Sequence, residues 1–481
     1  MSINPATSYR SPLEGRYAST AMQTIWSDQQ RISTWRRLWL ALAESQQQLG
    51  LPITDAQLDE LRAHIDDIDF EAAASYEREL RHDVMAHIHT LGDLCPAARP
   101  IIHLGATSQF VNCNAELLQM RDAMRLITIK LARVINALGT FATQYRDLPT
   151  LAFTHYQPAQ PTTVGKRATL WAQDCVLALE EVVHQLDTLR FRGIKGATGT
   201  QASFLDLFDG DHDRVEQLDQ LLTSKMGWDV EKRFAVTGQT YPRLVDARIV
   251  NALAICAAAI HRICNDVRLL ASRKEVEEPF EATQVGSSAM PYKRNPMRCE
   301  RATGLARFVM TLAQSPLNTA ATQWFERTLD DSSNRRLVLP EAFLALDGAL
   351  DIMHNVTSGL IVNSAVIHAA LEAELPFLAT ENLLMAAVKA GADRQGVHEI
   401  IRTHAQAAAH RIKQQGLSND LLERLRSEPV FADIDLAGAL DAKRFIGRAP
   451  EQVDAFLHDV VEPIRERYRE HLDTEAEALR V

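Results

Sequence analysis

The length of the unbroken helical runs is what most constrains this chain. Apolar residues recur at three- and four-residue spacing, with few breakers, over roughly 112–147, 165–190, 244–274, 297–314 and 328–358. At 1.5 Å per residue, the first run alone predicts a rod of ~50 Å. Strand-like alternation is nearly absent, so the fold class is all-α, built on an elongated central long-helix bundle. The pattern divides the chain into three helical domains: shorter amphipathic helices over 1–110, the long bundle over 111–362, and Ala-, Glu- and Arg-rich helices over 363–481. A representative early helix is "QQRISTWRRLWLALAESQQQLG", closed by Gly50 with Pro52 beyond it.

Composition then narrows function. With 481 residues, 46% of them hydrophobic, the chain can bury a large core without staples. Its six cysteines show neither a C-x-x-C pair nor zinc-ligand spacing, which suits reduced thiols in a cytoplasmic protein and no metal. The opening "MSINPATSYR" lacks the basic-then-apolar order of a secretory signal. The most apolar stretch, "IVNALAICAAAI" at 249–260, is shorter than the ~20 residues of a membrane span, so no membrane partner is expected. A net charge of −11 argues against nucleic acid as a partner, because phosphate backbones require a basic face. Any anionic ligand must be met by local clusters of Arg, Lys and His.

Four such clusters stand out. "QVGSSAMPYKRNP" (284–296) interrupts the helical pattern with a Gly-containing turn, adjacent serines, Lys293 and Asn295. Successive N–H groups leading into a helix near Met297 would form an anion cradle, in which the hydroxyl of Ser287 or Ser288 could lose its proton. "THYQPAQPTT" holds His155, a residue suited to proton transfer near neutral pH, among prolines and polar groups. "RHDVMAHIH" presents Arg81 and His82 to an anion, while Asp83 and His87, one helical turn apart, offer a rival metal-ligand pair. "FERTLDDSSNRR" reads as a helix start with Thr328 as N-cap and Asp331 in capping-box position. Ser332 and Arg336 then share one face, Asp331 and Arg335 another, with Arg327 just outside as a further donor. The plainer readings are a surface connector, a structural histidine and an ordinary ion-pair face.

Chain parity adds a constraint. If the long helices alternate in direction, "GATS" (105–108) starts the first at one end, whereas "THYQP" (154–158) and the 284–296 stretch fall at the other, tens of ångströms away. A single site using all three would need a neighbouring antiparallel chain. Elsewhere, "TTVGKR" (162–167) lacks the remainder of a phosphate-binding P-loop, and neither G-x-G-x-x-G nor G-x-S-x-G occurs.

Taken together, these segments resemble a known family. "GSSAMPYKRNP" is similar to the G-S-S-x-M-P-x-K-x-N signature of the aspartase/fumarase superfamily, and "LGATS" and "THYQPAQPTT" resemble its two other active-site regions. Within it, "YRSPLEGRYAS", "RHDVMAH", "TGQTYPR", "WFERTLDDSSNRR" and "ELPFLATENLLMAAVKAG" resemble the adenylosuccinate lyases, a likeness running from about 9 to 460. The resemblance implies a homotetramer with a twenty-helix core and active sites to which three chains contribute. It implies cofactor-free cleavage of adenylosuccinate to AMP and fumarate, and of the succinylated aminoimidazole carboxamide ribotide SAICAR to AICAR and fumarate. It also implies Ser287 as base and His155 as acid, Lys293 and Asn295 on the carboxylate, and Thr107 and Ser108 on the succinyl group. Arg16, Tyr17, Arg81, His82, Asp83, Gln239, Arg301, Arg327, Ser332 and Arg336 match the family's substrate-binding positions. Cys113 departs from the Asp that relatives commonly carry. Three competing readings are a lyase for argininosuccinate, malate or aspartate, which would not need the extra basic groups, a metal phosphohydrolase, and a non-catalytic homologue.

Overall fold

A computed structural model describes residues 7–281, 283–436, 438–472 and 479. The five runs are helices: Ser108–Gln144, Val164–Thr188, Leu244–Ser272, Met297–Leu312 and Asp330–Ser358. Cross-links give their directions. Arg335 meets Glu116 and Asp246, so the first, third and fifth of these helices start at the same end. Trp171 meets Asp266 and Arg248 meets Thr188, so the second runs antiparallel to the third. Cys264 lies against Met353, which places the carboxyl ends of the third and fifth together. The helix ends are formed by local chemistry: Thr163 Oγ1 accepts from the Lys166 N–H at 3.0 Å to start the second long helix, and Gly50, at φ +92°, follows the Asp28–Gln48 helix.

The strand content exceeds the sequence expectation. "THYQPAQPTT" belongs to an antiparallel hairpin, Pro149–Thr154 with Gln157–Thr163, bulged at Leu151/Ala152. Three prolines, at 149, 158 and 161, break the alternation by which a strand is recognised. A second short pair, Val276–Glu277 with Ile361–Val362, ties the ends of the third and fifth long helices together.

One apolar cluster extends from Leu13 through Trp35, Trp39 and all five long helices to Val453, Val461 and Tyr468. A separate cluster spans Ala379 to Leu436. The Ser108 and Leu244 helices are long and apolar enough, by length and composition, to cross a membrane. The sequence estimate counted only the 12-residue stretch 249–260 of a 29-residue helix. In the fold, 67% and 56% of their most apolar windows are buried against other helices, as core helices are.

Where the first long helix hands over to the second, the Val164 N–H donates to the Leu148 carbonyl and the Gly165 N–H to the Tyr145 carbonyl, both at 2.9 Å. A Cβ at Gly165 would lie 2.4 Å from the Ala142 carbonyl oxygen, so only glycine permits this approach. Gly165→Ala is expected to cost ~1–3 kcal/mol through overpacking of backbone against backbone. Thermal unfolding should show the lowered midpoint, and an unchanged midpoint would mean the two helices separate freely.

Candidate active site

At the end where the Ser108 and Asp330 helices begin, an open cleft of about 950 Å³ is lined by Arg81, His82, Asp83, Thr107, Ser108, Gln239, Arg327, Ser332 and Arg336. These nine come from four separate segments. Arg81 closes the Phe70–Leu80 helix in a left-handed conformation, φ 55°, which a non-glycine residue adopts only at a cost. His82 caps the next helix: its Nδ1 accepts from the Met85 N–H at 3.3 Å. In the neutral ring the proton is therefore on Nε2, which lies 3.1 Å from Ser108 Oγ and donates to it. Asp83 accepts from Arg336 Nη2 at 2.7 Å. Thr107 precedes the Ser108 helix without a side-chain capping bond. Gln239 accepts from Arg327 Nη1 at 3.1 Å and donates to the Ala197 carbonyl at 3.0 Å.

A buried ion network supports this cleft from below. Arg243 Nε donates to Asp331 at 2.7 Å, and Arg335 donates to Asp246 at 2.6 Å, to Glu116 at 2.8 Å and to the Tyr241 hydroxyl. Tyr241 in turn donates to Asp246 at 2.6 Å, and burial pushes its hydroxyl well above the ordinary tyrosine range. The capping-box expectation is thereby corrected. Helix 330–358 begins at Asp330, Thr328 accepts only a long 3.4 Å bond from the Asp330 N–H, and Asp331 turns inward to Arg243. The neighbouring face carries Ser332 and Arg336 into the cleft. Sequence reasoning missed Glu77, Gln109, Asn112 and Ser333, which also line it, and Tyr241, Arg243 and Asp246, which hold it. Buried charge of this kind has no periodic signature.

His155, Ser287, Lys293, Asn295 and Arg301 are at the other end of the bundle. His155 and Tyr156 form the two-residue tip of the hairpin, φ 53° and 56°, and both side chains are exposed. This turn requires two left-handed residues and usually takes Asn-Gly. Such strain at a histidine, of order 1–3 kcal/mol per residue, is characteristic of functional positions. His155 thus falls beyond the end of the first long helix, where chain parity puts it, but on a hairpin tip that the sequence reading did not anticipate.

In the 284–296 loop, Ser287 Oγ accepts from the Met290 N–H at 3.2 Å, while Asn295 Nδ2 donates to the Gly286 carbonyl at 2.8 Å. A Cβ at Gly286 would lie 2.1 Å from the Lys293 carbonyl oxygen, so the loop closes on a glycine. Lys293 is exposed and Ser287 half-buried. The anion cradle expected at the start of the Met297 helix is corrected: its Arg298 and Cys299 N–H groups are already taken by the Glu278 carboxylate, at 2.9 and 3.0 Å. Burial raises the Glu278 pKa, opposed by these two bonds.

Arg16 and Tyr17 form a third group. Their turn, Leu13–Tyr17, crosses the middle of the Asp330 helix at Gly348, 12 positions beyond Arg336. That is roughly 18 Å along the axis. One chain therefore does not unite the expected site residues but holds them in three separate groups.

The metal-pair reading of Asp83 and His87 is also corrected. Asp83 faces Arg336, whereas His87 is buried edge-on between Trp35 and Phe70, with ring centroids 5.6 and 6.4 Å away. Burial, aided by Arg31 and Arg36, holds its pKa down at about 4. Cys113 is fully buried, its thiol donating to Gln109 Oε1 at 3.4 Å. All six cysteines are free and buried.

A family model described as Lyase matches residues 15–311, and one described as Adenylosuccinate lyase C-terminus matches 376–456. The adenylosuccinate lyase of Schizosaccharomyces pombe is 54% identical, over 94% of this chain and 94% of its own. Those of Schistosoma mansoni and Saccharomyces cerevisiae are 50% and 49% identical, over 96% and 98% of this chain and 97% and 99% of theirs. The chain belongs to the adenylosuccinate lyase family.

Among solved structures, its backbone is similar to a 3-carboxy-cis,cis-muconate lactonizing enzyme from Pseudomonas putida, with TM-score 0.80 at 22% identity over 95% and 99% of the two chains. It is also similar to a fumarate lyase from Mesorhizobium sp. BNC1, with TM-score 0.77 at 24% identity over 92% and 98%. At that identity only the fold is shared, so what distinguishes the adenylosuccinate lyase family lies in side chains on a common frame.

His103, which accepts from Trp39 Nε1 at 2.9 Å, resembles His87 in having a pKa held down by burial at about 4. The unfolded chain binds these protons near pH 6.5 and the folded chain does not, so stability is complete above that pH and is lost as pH falls toward 4. The thermal midpoint should fall across this window, and His87→Phe should flatten part of the slope. A midpoint independent of pH between 6.5 and 4 would mean that neither ring stays neutral.

Proposed function

We propose that this chain, as a homotetramer in the cytoplasm, eliminates fumarate from adenylosuccinate to give AMP and from SAICAR to give AICAR, without a cofactor. The observation that carries the reading is the basic cleft in an acidic protein, where Arg81, Arg327, Arg336 and Ser332 converge beside His82, Thr107 and Ser108. A ligand bearing a phosphate and two carboxylates needs such a cluster, whereas a simple dicarboxylate does not. The relatives named adenylosuccinate lyase support the same choice.

In this reading the Ser287 alkoxide removes the proton from the succinyl carbon next to a carboxylate, the C–N bond breaks, and the carbon–carbon double bond of fumarate forms. His155 delivers a proton to the departing nitrogen. The Met290 N–H already directed at Ser287 Oγ would stabilise its anion, and Lys293 would neutralise the carboxylate on which charge accumulates. Thr107 and Ser108, the latter oriented by His82, would hold the succinyl group, while Ser332, Arg336, Arg16 and Tyr17 would hold the phosphate. Gln239, Arg301 and Arg327 would complete the pocket, with Asp83 orienting Arg336.

Assembly is part of the proposal, because a cleft at one end of the bundle and His155 and Ser287 at the other can form one site only between copies. The three-part division of the chain is proposed likewise. It rests on the separate apolar cluster from Ala379 to Leu436, although the helices from Ala449 onward pack back on the bundle. The cytoplasmic assignment rests on the free thiols.

Purified protein should release fumarate from adenylosuccinate, with Ser287→Ala and His155→Ala each slowing turnover by ~10²–10⁴-fold while circular dichroism is unchanged. Near-normal turnover in Ser287→Ala would move the base to another residue. Mixing inactive Ser287→Ala with inactive Arg336→Ala chains, after dissociation and reassembly, should restore activity by assembling sites free of both substitutions. No recovery in mixed tetramers would argue for sites made within single chains.

A further inference from the structure

The segment carrying Arg16 and Tyr17 is attached to the bundle by a buried device that the reaction scheme does not use. Asp347, fully buried midway along the Asp330 helix, accepts the Ser19 N–H at 2.6 Å and the Ser19 hydroxyl at 3.1 Å. Lys130 of the Ser108 helix lies 2.5 Å from the same carboxylate and 2.7 Å from Asp351. The next residue, Gly348, touches the segment directly: a Cβ there would come 2.6 Å from the Tyr17 carbonyl oxygen and 3.0 Å from Tyr17 Cβ. Gln23 Nε2 completes the fastening with bonds to the Glu14 and Ala18 carbonyls, both at 2.9 Å.

We propose that Asp347, with Lys130 and Gly348, is a positioning anchor that fixes Arg16 and Tyr17 for recognition of the substrate's phosphate. A short turn on the surface of a helix bundle has no register of its own, and this one carries an exposed Arg16 whose donors must reach a phosphate within a few tenths of an ångström. The buried carboxylate supplies that register. Its lone pairs are shared between a backbone N–H, a hydroxyl and an ammonium from a second helix, so translation of the turn along the Asp330 helix breaks charge-assisted bonds in a dry environment. Gly348 sets the height of the turn above the helix and Asp347 its position along it. The anchor touches no substrate and acts through the two residues it holds.

The inference rests on the proposed role of Arg16 and Tyr17 as phosphate ligands, and the test separates the two. Steady-state kinetics with adenylosuccinate and inhibition by AMP and by fumarate are measured for wild type, Arg16→Ala, Gly348→Ala, Asp347→Asn and the double variant Arg16→Ala/Gly348→Ala. The expected result is a KM and an AMP inhibition constant raised about tenfold in Gly348→Ala and Asp347→Asn, with kcat within about threefold and fumarate inhibition unchanged. Arg16→Ala should behave alike, and adding it to Gly348→Ala should cost clearly less than it does in wild type. If Arg16→Ala raises KM but Asp347→Asn and any folded Gly348→Ala do not, the anchor is overturned. Equal losses in kcat and in inhibition by both products would also overturn it, as a general packing defect. If Arg16→Ala itself changes nothing, the phosphate role fails first and the anchor with it.

Discussion

The stiffness of the Ser108–Gln144 helix governs most of what this molecule can do. Its 37 residues span roughly 55 Å and carry Ser108 at one end and the His155 hairpin just beyond the other. A side chain reaches several ångströms, so no rotamer change brings these residues together. The remaining long helices repeat the constraint, with Gln239, Arg327 and Ser332 returned to the first end and Ser287 and Lys293 to the second. A chain built this way can position groups accurately, because each is tied to a rigid rod, but it positions them for a neighbour. The Arg16–Tyr17 turn adds a third location halfway along, so the number of separate groups within the chain equals the number of chains the family resemblance assigns to each site.

Rigid rods must also be held in register, and here the fold uses buried charge. Arg243 with Asp331, and Arg335 with Asp246 and Glu116, link three helices beneath the cleft, while Lys130 with Asp347 links two of them farther along. Burying such pairs gains little over a well-packed apolar core, since desolvation offsets most of the attraction. What they add is discrimination: an apolar interface tolerates a slide of one residue, whereas a guanidinium facing a carboxylate does not. In a protein whose net charge is −11, the same acids also keep several arginines inside the fold, leaving those that line the cleft as a local positive surface. Asp83 on Arg336 shows the intermediate case, an acid that orients a basic group at the site itself.

The sequence conveyed the long helices to within about four residues at their ends, because packing a bundle on several sides imposes a 3.6-residue period over their whole length. The run expected at 244–274 is Leu244–Ser272, and that at 297–314 is Met297–Leu312. The hairpin of 149–163 was missed because its prolines and the helix-like turn signals around them carry no alternation, and its His-Tyr tip lacks the glycine that announces such a turn. Candidate residues were legible from local composition where they fall in polar segments at the starts of helical runs, as at 81–83 and 327–336, whereas Thr107, Ser108, Gln239, Arg16 and Tyr17 came only from the family resemblance. The inward turn of Asp331 was not legible, since local spacing favours a cap and only the arrival of Arg243 from 88 residues away decides otherwise. The Glu278 cap on the Met297 helix was hidden for the same reason: a helix start looks open to anions until a buried acid from the preceding segment is known to occupy it.

That occupied helix start bears on how one backbone can serve different reactions. The frame is shared, at TM-scores of 0.80 and 0.77, with proteins named as a lactonizing enzyme and as a fumarate lyase, so the bundle itself cannot set the outcome. With its first N–H groups taken by Glu278, the Met297 helix contributes no general anion site, and the positive charge beside it comes from side chains, Lys293, Arg294 and Arg301 among them, rather than from the backbone. Side-chain charge is readily altered by substitution, whereas a helix dipole is not. A scaffold that neutralises its own backbone dipole and leaves ligand charge to individual residues can therefore change substrate without changing fold, provided the rods still present those residues at fixed separations.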